Sequence, residues 1–298
     1  MTGPVAPVCW ILSDPFMRTA FGVGAAIALA CGLVGYFVVF RSQVFTGDAL
    51  SHVAFTGSLA ALVVGVNPRV GLFVATALVA AGMSVLGGKG RADDVAIGSV
   101  FAWILALGVF FLSLYTANRS GANGTAGVAI LFGSIFGLSG GDAAVAVSVG
   151  AVVAASVLAV ARPLLFASID GAVAEARGVP VRWLGVAFLV LVGLTAAEAT
   201  QVVGALPLLG LLAAPAAAAH RLTDRPFRGL ALSGLLAVGS TWAGLAVAYY
   251  APSVPASFAI VASAVTLFAG ASVAGGRIRR MEAVPARAGP VGVEGPVR

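Results

Sequence analysis

Apolar runs of about twenty residues recur along almost the whole of this chain, and nothing else about it limits the fold so strongly. They cover residues 16–40, 48–66, 70–86, 95–117, 143–161, 183–203, 204–219, 229–250 and 257–274. A helix needs roughly 20 apolar residues to cross the ~30 Å hydrocarbon core of a bilayer. No backbone amide can go unpaired there, so each run is read as a helix. Of the 298 residues, 60% are hydrophobic and 9% charged, whereas ordinary soluble domains carry about 25% charged residues. A water-exposed exterior cannot be built from such a composition. The expected fold is all-α: a polytopic transmembrane helical bundle of about nine spans, or eight.

The net charge of +6 does not point to a nucleic-acid partner, because the basic residues gather in short gaps between the apolar runs. With nine crossings, Arg41, Lys89, Arg91, Arg162, Arg177, Arg182, Arg221, Arg225, Arg228, Arg277, Arg279 and Arg280 fall on one side, and Arg18, Arg69 and Arg119 on the other. Cytoplasmic loops carry the excess of Lys and Arg. The first set is therefore predicted to be cytoplasmic, with the N-terminus outside and the C-terminus inside. Residues 1–15 read as an extracytoplasmic segment without a signal peptide, 16–275 as the membrane body, and 276–298 as a disordered cytoplasmic tail. Cys9 and Cys31 form neither a CxxC pair nor a zinc-ligand spacing. High Ala, Val and Gly usage with Arg over Lys points to a GC-rich bacterial source, so a bacterial cytoplasmic membrane is the expected location.

Few residues can carry chemistry. In Gly47-Asp48-Ala49-Leu50-Ser51-His52, a carboxylate and an imidazole stand four positions apart, on one helix face. Together they can ligate a divalent cation. An ionisable group within an apolar span costs roughly 2.5 kcal/mol or more unless it faces water or a partner. The competing reading makes Asp48 a helix cap and His52 a snorkelling side chain. Two ligands are fewer than a tight site takes, which suits a site an ion must leave. The cytoplasmic segment 168–180 reads as a short helix capped by Asp170 and ended by Gly178 and Pro180. A partner can grip such a helix, or it is a simple connecting turn. Glu198, late in the sixth run, attracts cations, snorkels, or pairs with Gln201. His220 reads as a cytoplasmic helix end beside Arg221, and Asp93 and Asp94 as a solvated cluster with Lys89 and Arg91.

The order of several motifs resembles the ABC transporter permeases for zinc, manganese and iron. Phe16-Met17-Arg18-Thr19-Ala20, Gly32-Leu33-Val34-Gly35 and Gly47–His52 match the opening of that family. Leu131-Phe132-Gly133-Ser134-Ile135 matches its middle. Asp170, Ala174 and Gly178 fit its Asp-x3-Ala-x3-Gly loop. Gln201-Val202-Val203-Gly204-Ala205-Leu206 and Leu212-Ala213-Ala214-Pro215-Ala216-Ala217 match its late segments. The resemblance implies a type II ABC importer-like permease, not itself an enzyme, working as a homodimer with two copies of a cytoplasmic ABC ATPase and an extracytoplasmic metal-binding protein. It implies that Asp48 and His52 line the path of zinc or manganese, or of iron, with no permanently bound cofactor. It implies that Asp170, Ala174, Glu175 and Gly178 belong to the coupling helix that docks on the ATPase. Glu198, a candidate for the pore entrance, departs from a family pattern that is usually apolar there. The chain lacks a Gly-x4-Gly-Lys-Ser/Thr loop, so energy for transport must come from a partner or an ion gradient. A proton-coupled secondary carrier using Asp48, Asp142 and Glu198, a permease for a metal chelate, and an intramembrane hydrolase are the competing readings.

Overall fold

The structure, a computed structural model, describes residues 14–86, 94–118 and 133–282. The chain forms α1 (Pro15–Phe40), α2 (Val44–Val64), α3 (Pro68–Leu86), α4 (Asp94–Asn118), a 3-10 turn (Ile135–Gly137), α5 (Gly140–Ile169), α6 (Gly171–Ala176), α7 (Val181–Val202), α8 (Ala205–Leu222), α9 (Pro226–Tyr250) and α10 (Ala256–Glu282). No strand occurs among the described residues. Lys89, Arg91, Asp93, Arg119, Leu131, Phe132 and Cys9 lie outside them, as do residues 283–298.

Each long helix overlies one of the expected runs, yet among the described residues seven are long and apolar enough to cross a membrane: α1, α2, α4, α5, α7, α9 and α10. The expectation of about nine spans is thus not met by length and apolarity alone. Two helices fall short. The apolar stretch of α3 is Pro68–Ser84, and α8 has 18 residues and finishes in His220 and Arg221. The boundaries also move. Helix α5 continues through Arg162-Pro163, where the fifth run was expected to end, and reaches Ile169. Pro163 forfeits one intrahelical bond, but Ala161, Leu164 and Ala167 around it are buried, and that packing holds the helix together. Helix α10 likewise passes residue 275 and reaches Glu282.

The long helices alternate in direction, and α1 is their spine: 72% of its apolar window is buried, against 17% for α4. Lipid offers no hydrophobic drive for helix association, so close backbone approach and interhelical hydrogen bonds must supply it. Gly35 does this on α1. A Cβ there would strike the Leu212 carbonyl of α8. One turn earlier, the Ser233 hydroxyl of α9 donates to the Gly32 carbonyl at 2.6 Å. On the other flank, the Thr56 hydroxyl of α2 donates to the Ile104 carbonyl of α4 at 3.1 Å. Helix α4 packs chiefly against α2 and leaves Trp103, Val109 and Phe110 exposed.

This arrangement sorts the helix ends. Arg41, Arg177, Arg182, Arg221, Arg225 and Arg228 share one end, the basic end, with the start of α2. The start of α3, the 3-10 turn, the start of α5 and the end of α7 share the opposite end.

Candidate functional site

Asp48 and His52 lie in the first half of α2, which starts at Val44 rather than at Asp48. Asp48 is therefore inside the helix and does not cap it; Gln43 occupies the cap position without a side-chain bond. The Asp48 carbonyl accepts the Ser51 hydroxyl at 2.7 Å. Both side chains of the pair are half-buried, and the Asp48 charge acts on the His52 imidazole. The ring of His52 meets Phe101 of α4 edge-on, with centroids 5.3 Å apart. Gln43 and Thr46, just before the pair, are buried, and their side-chain polar atoms have no hydrogen-bond partner among the described residues. The first turns of α2 thus carry a polar strip, and α2 is the least apolar of the seven candidate spans. No group of three His, Cys, Asp or Glu side chains that could hold a metal occurs among the described residues.

At the opposite end, a second polar group joins three helices. Arg69, near the start of α3, forms a salt bridge with Asp142 of α5 at 3.0 Å. Its Nε donates to Oε1 of Gln201 on α7 at 3.1 Å. The Ser139 hydroxyl donates to the other oxygen of Asp142 at 2.7 Å, and Ser139 caps α5. Backbone geometry fixes the group in place. Ser134 donates its amide to the Gln201 carbonyl at 3.1 Å. Gly204, with φ +102° and ψ 158°, lets the chain turn from α7 into α8 in a conformation that is essentially glycine's alone. Glu198 stands one turn below Gln201 and is 1% exposed. Neither of its oxygens has a hydrogen-bond partner among the described residues, and Nε2 of Gln201 also lacks one. A cavity of about 320 Å³ opens beside Arg69, Asp142, Gln201 and Ser134.

The segment after α5 has the expected local form. Asp170 caps α6, accepting the Val173 amide at 3.0 Å. Ala174 is buried, while Glu175 is exposed. Gly178, with φ +84°, lets the chain leave the helix. Ile169, Val173 and Trp183 are exposed here, at the basic end of the bundle. His220 is half-buried at that same end. Its ring stacks on Tyr36 at 4.3 Å, and its Nε2 donates to the Tyr36 carbonyl at 3.1 Å.

Comparison with known proteins now adds to this geometry. The model of the ABC 3 transport family matches residues 13–275. The chain belongs to the ABC 3 transport family. It is an ABC permease of the metal-uptake kind, a multi-pass protein of the bacterial inner membrane. It is 31% identical over 265 residues to the manganese transport system membrane protein MntC of Halalkalibacterium halodurans, covering 87% of each chain. It is 33% identical over 234 residues to the manganese transport system membrane protein MntD of Bacillus subtilis, covering 74% of this chain and 79% of that one. Among solved structures, PsaBC from Streptococcus pneumoniae in complex with a Fab matches with a TM-score of 0.77 and 26% identity, over 90% of this chain and 94% of that one.

Within this ABC 3 permease, the structure keeps Asp48 and His52 together on one face and gathers residues 170–178 into a single capped turn. It keeps Glu198 away from both, at the other end of the bundle. The triangle of Arg69, Asp142 and Gln201 had no signature in the sequence, where Arg69 served only as a marker of orientation. Arg69 and Gln201 are 132 positions apart, and only the packing of α3 against α7 brings them together.

Proposed function

We propose that this chain is the membrane-spanning subunit of an ATP-binding-cassette importer that carries manganese into the cytoplasm, with Asp48 and His52 as the ligands of the ion in transit. The observation that carries the proposal is the half-buried Asp48–His52 pair on one face of a membrane-length helix in a chain of the ABC 3 transport family. A carboxylate oxygen and an imidazole nitrogen suit Mn2+, and they suit Zn2+ and Fe2+ as well. Manganese is favoured because the relatives bear that metal in their names.

The basic end is cytoplasmic in this reading, and α3 and α8 cross with the other seven helices, making nine spans of a type II importer fold with the N-terminus outside. Two copies face one another, so that two Asp48–His52 pairs give the ion four protein ligands. A separate ATPase, in two copies, docks on the α6 segment through Asp170, Ala174, Glu175 and Gly178 and supplies the energy. Its closure rocks the helices and exposes the ligand pair first outward and then inward. An extracytoplasmic metal-binding protein delivers the ion to the mouth, where Glu198 draws cations inward.

Uptake of radioactive Mn2+ by cells carrying inserted Asp48→Ala and His52→Ala variants tests this. At least a tenfold loss is expected in each, since half of the ligands disappear. Wild-type uptake in both ends the reading. Uptake that persists when the proton gradient is collapsed separates the importer from a proton-coupled carrier. Competition by Zn2+ and Fe2+ ranks the cargo.

A further inference from the structure

The polar group at the end opposite the basic one contains two carboxylates and one guanidinium. Asp142 holds Arg69 at 3.0 Å, while Glu198 is 1% exposed and its two oxygens have no hydrogen-bond partner among the described residues. The charges of both Arg69 and Asp142 act on Glu198, so the three lie in one electrostatic neighbourhood. Glu198 and Gln201 are three residues apart on α7 and share a face, with Glu198 one turn deeper. The side chain of Asp142 is 46% exposed and that of Arg69 19% exposed, so the group is open from outside and closed below. The adjoining cavity of about 320 Å³, lined by Asn67, Arg69, Ser134, Asp142 and Gln201 among others, has room for several waters at roughly 30 Å³ each. A hydrated ion fits that volume; Glu198 is not part of the cavity wall and lies one helical turn beyond Gln201, which is.

A guanidinium is a tethered cation. It satisfies one carboxylate and the side-chain amide oxygen of Gln201 and leaves the second carboxylate without a hydrogen-bond partner among the described residues. A divalent ion carries the charge that both carboxylates require, and carboxylate and amide oxygens are the donors a hard cation prefers. We propose that Asp142, Glu198 and Gln201 form a divalent-cation site at the outer mouth, and that Arg69 occupies it in this conformation and gives way to an arriving ion. Arg69 is then a built-in competitor: it holds α3, α5 and α7 together while no ion is present and sets how weakly the mouth binds. The inference deepens the reading of Glu198 as the pore entrance and rests on that reading for its part in transport, though not for the binding itself.

The test is Mn2+ binding to the full-length chain in nanodiscs, read from the loss of the free Mn2+ electron paramagnetic resonance signal. An Asp48→Ala, His52→Ala background is used, so that the inner ligands contribute nothing. Arg69→Gln removes the competitor, and binding at least tenfold tighter is expected. Adding Glu198→Gln to it should abolish that gain. No gain from Arg69→Gln, or a gain that survives Glu198→Gln, overturns the proposal. Should Arg69→Gln fail to insert, Arg69→Met, which also removes the cation but keeps an unbranched side chain, decides on the same criteria. Failure of the transit-site proposal would appear elsewhere, as normal uptake by the Asp48→Ala and His52→Ala variants.

Discussion

Gly204 carries more structural weight than its size suggests. Its backbone occupies a region essentially closed to other residues, and it turns α7 into α8 directly beyond Gln201. Gly204→Ala is predicted to cost about 1–3 kcal/mol, seen as a lower melting temperature of the detergent-solubilised protein. Ser233→Ala should cost much less, about 0.6 kcal/mol, the average for a hydrogen bond between membrane helices. A larger drop would mean that the Gly32 carbonyl has no other way to be satisfied. At this scale the sequence was legible where geometry repeats along the chain. Asp48 and His52 could be paired on paper because four positions make one helical turn. Arg69 and Asp142 could not, because their contact depends on how α3 and α5 meet. Glu198 was visible as an anomaly in an apolar run, but its burial and its neighbours belong to the packing.

Helix ends were harder to read than helices. The Asp170 cap and the Gly178 exit stood out because both are local chemistry, and the structure has both. Asp170→Ala removes the capping bond, which typically contributes about 0.5–2 kcal/mol. Six residues of helix have little else to hold them, so α6 should fray. The expected result is reduced copurification of the ATPase subunit with a permease that still inserts normally; undiminished copurification would separate α6 from docking. Pro163 shows the opposite case. A proline after an arginine looks like a helix end, yet buried neighbours carry α5 past it to Ile169. Packing outweighed a local breaker, and local sequence gives no measure of packing.

Across the whole molecule, alternation of helix direction was the most legible property, since the basic residues of the connections sort to one end with few exceptions. The number of crossings was less so, because α3 and α8 are long helices whose length or apolarity falls short of a clear span. Single cysteines placed in a Cys9→Ser, Cys31→Ala chain decide the matter. Asp224→Cys, between α8 and α9, should react with a membrane-impermeant maleimide only in inside-out vesicles. Ser253→Cys, between α9 and α10, should react only in intact cells. Labelling of both from the same face would remove α9 as a crossing and with it the nine-span arrangement.

The attachment of α4 has a mechanical meaning. Among the described residues its main seam with the body is made with α2, and the His52 ring lies in that seam against Phe101. A displacement of α4 along that seam would be felt at the His52 ring first, because His52 stands on α2 with Phe101 of α4 against its edge.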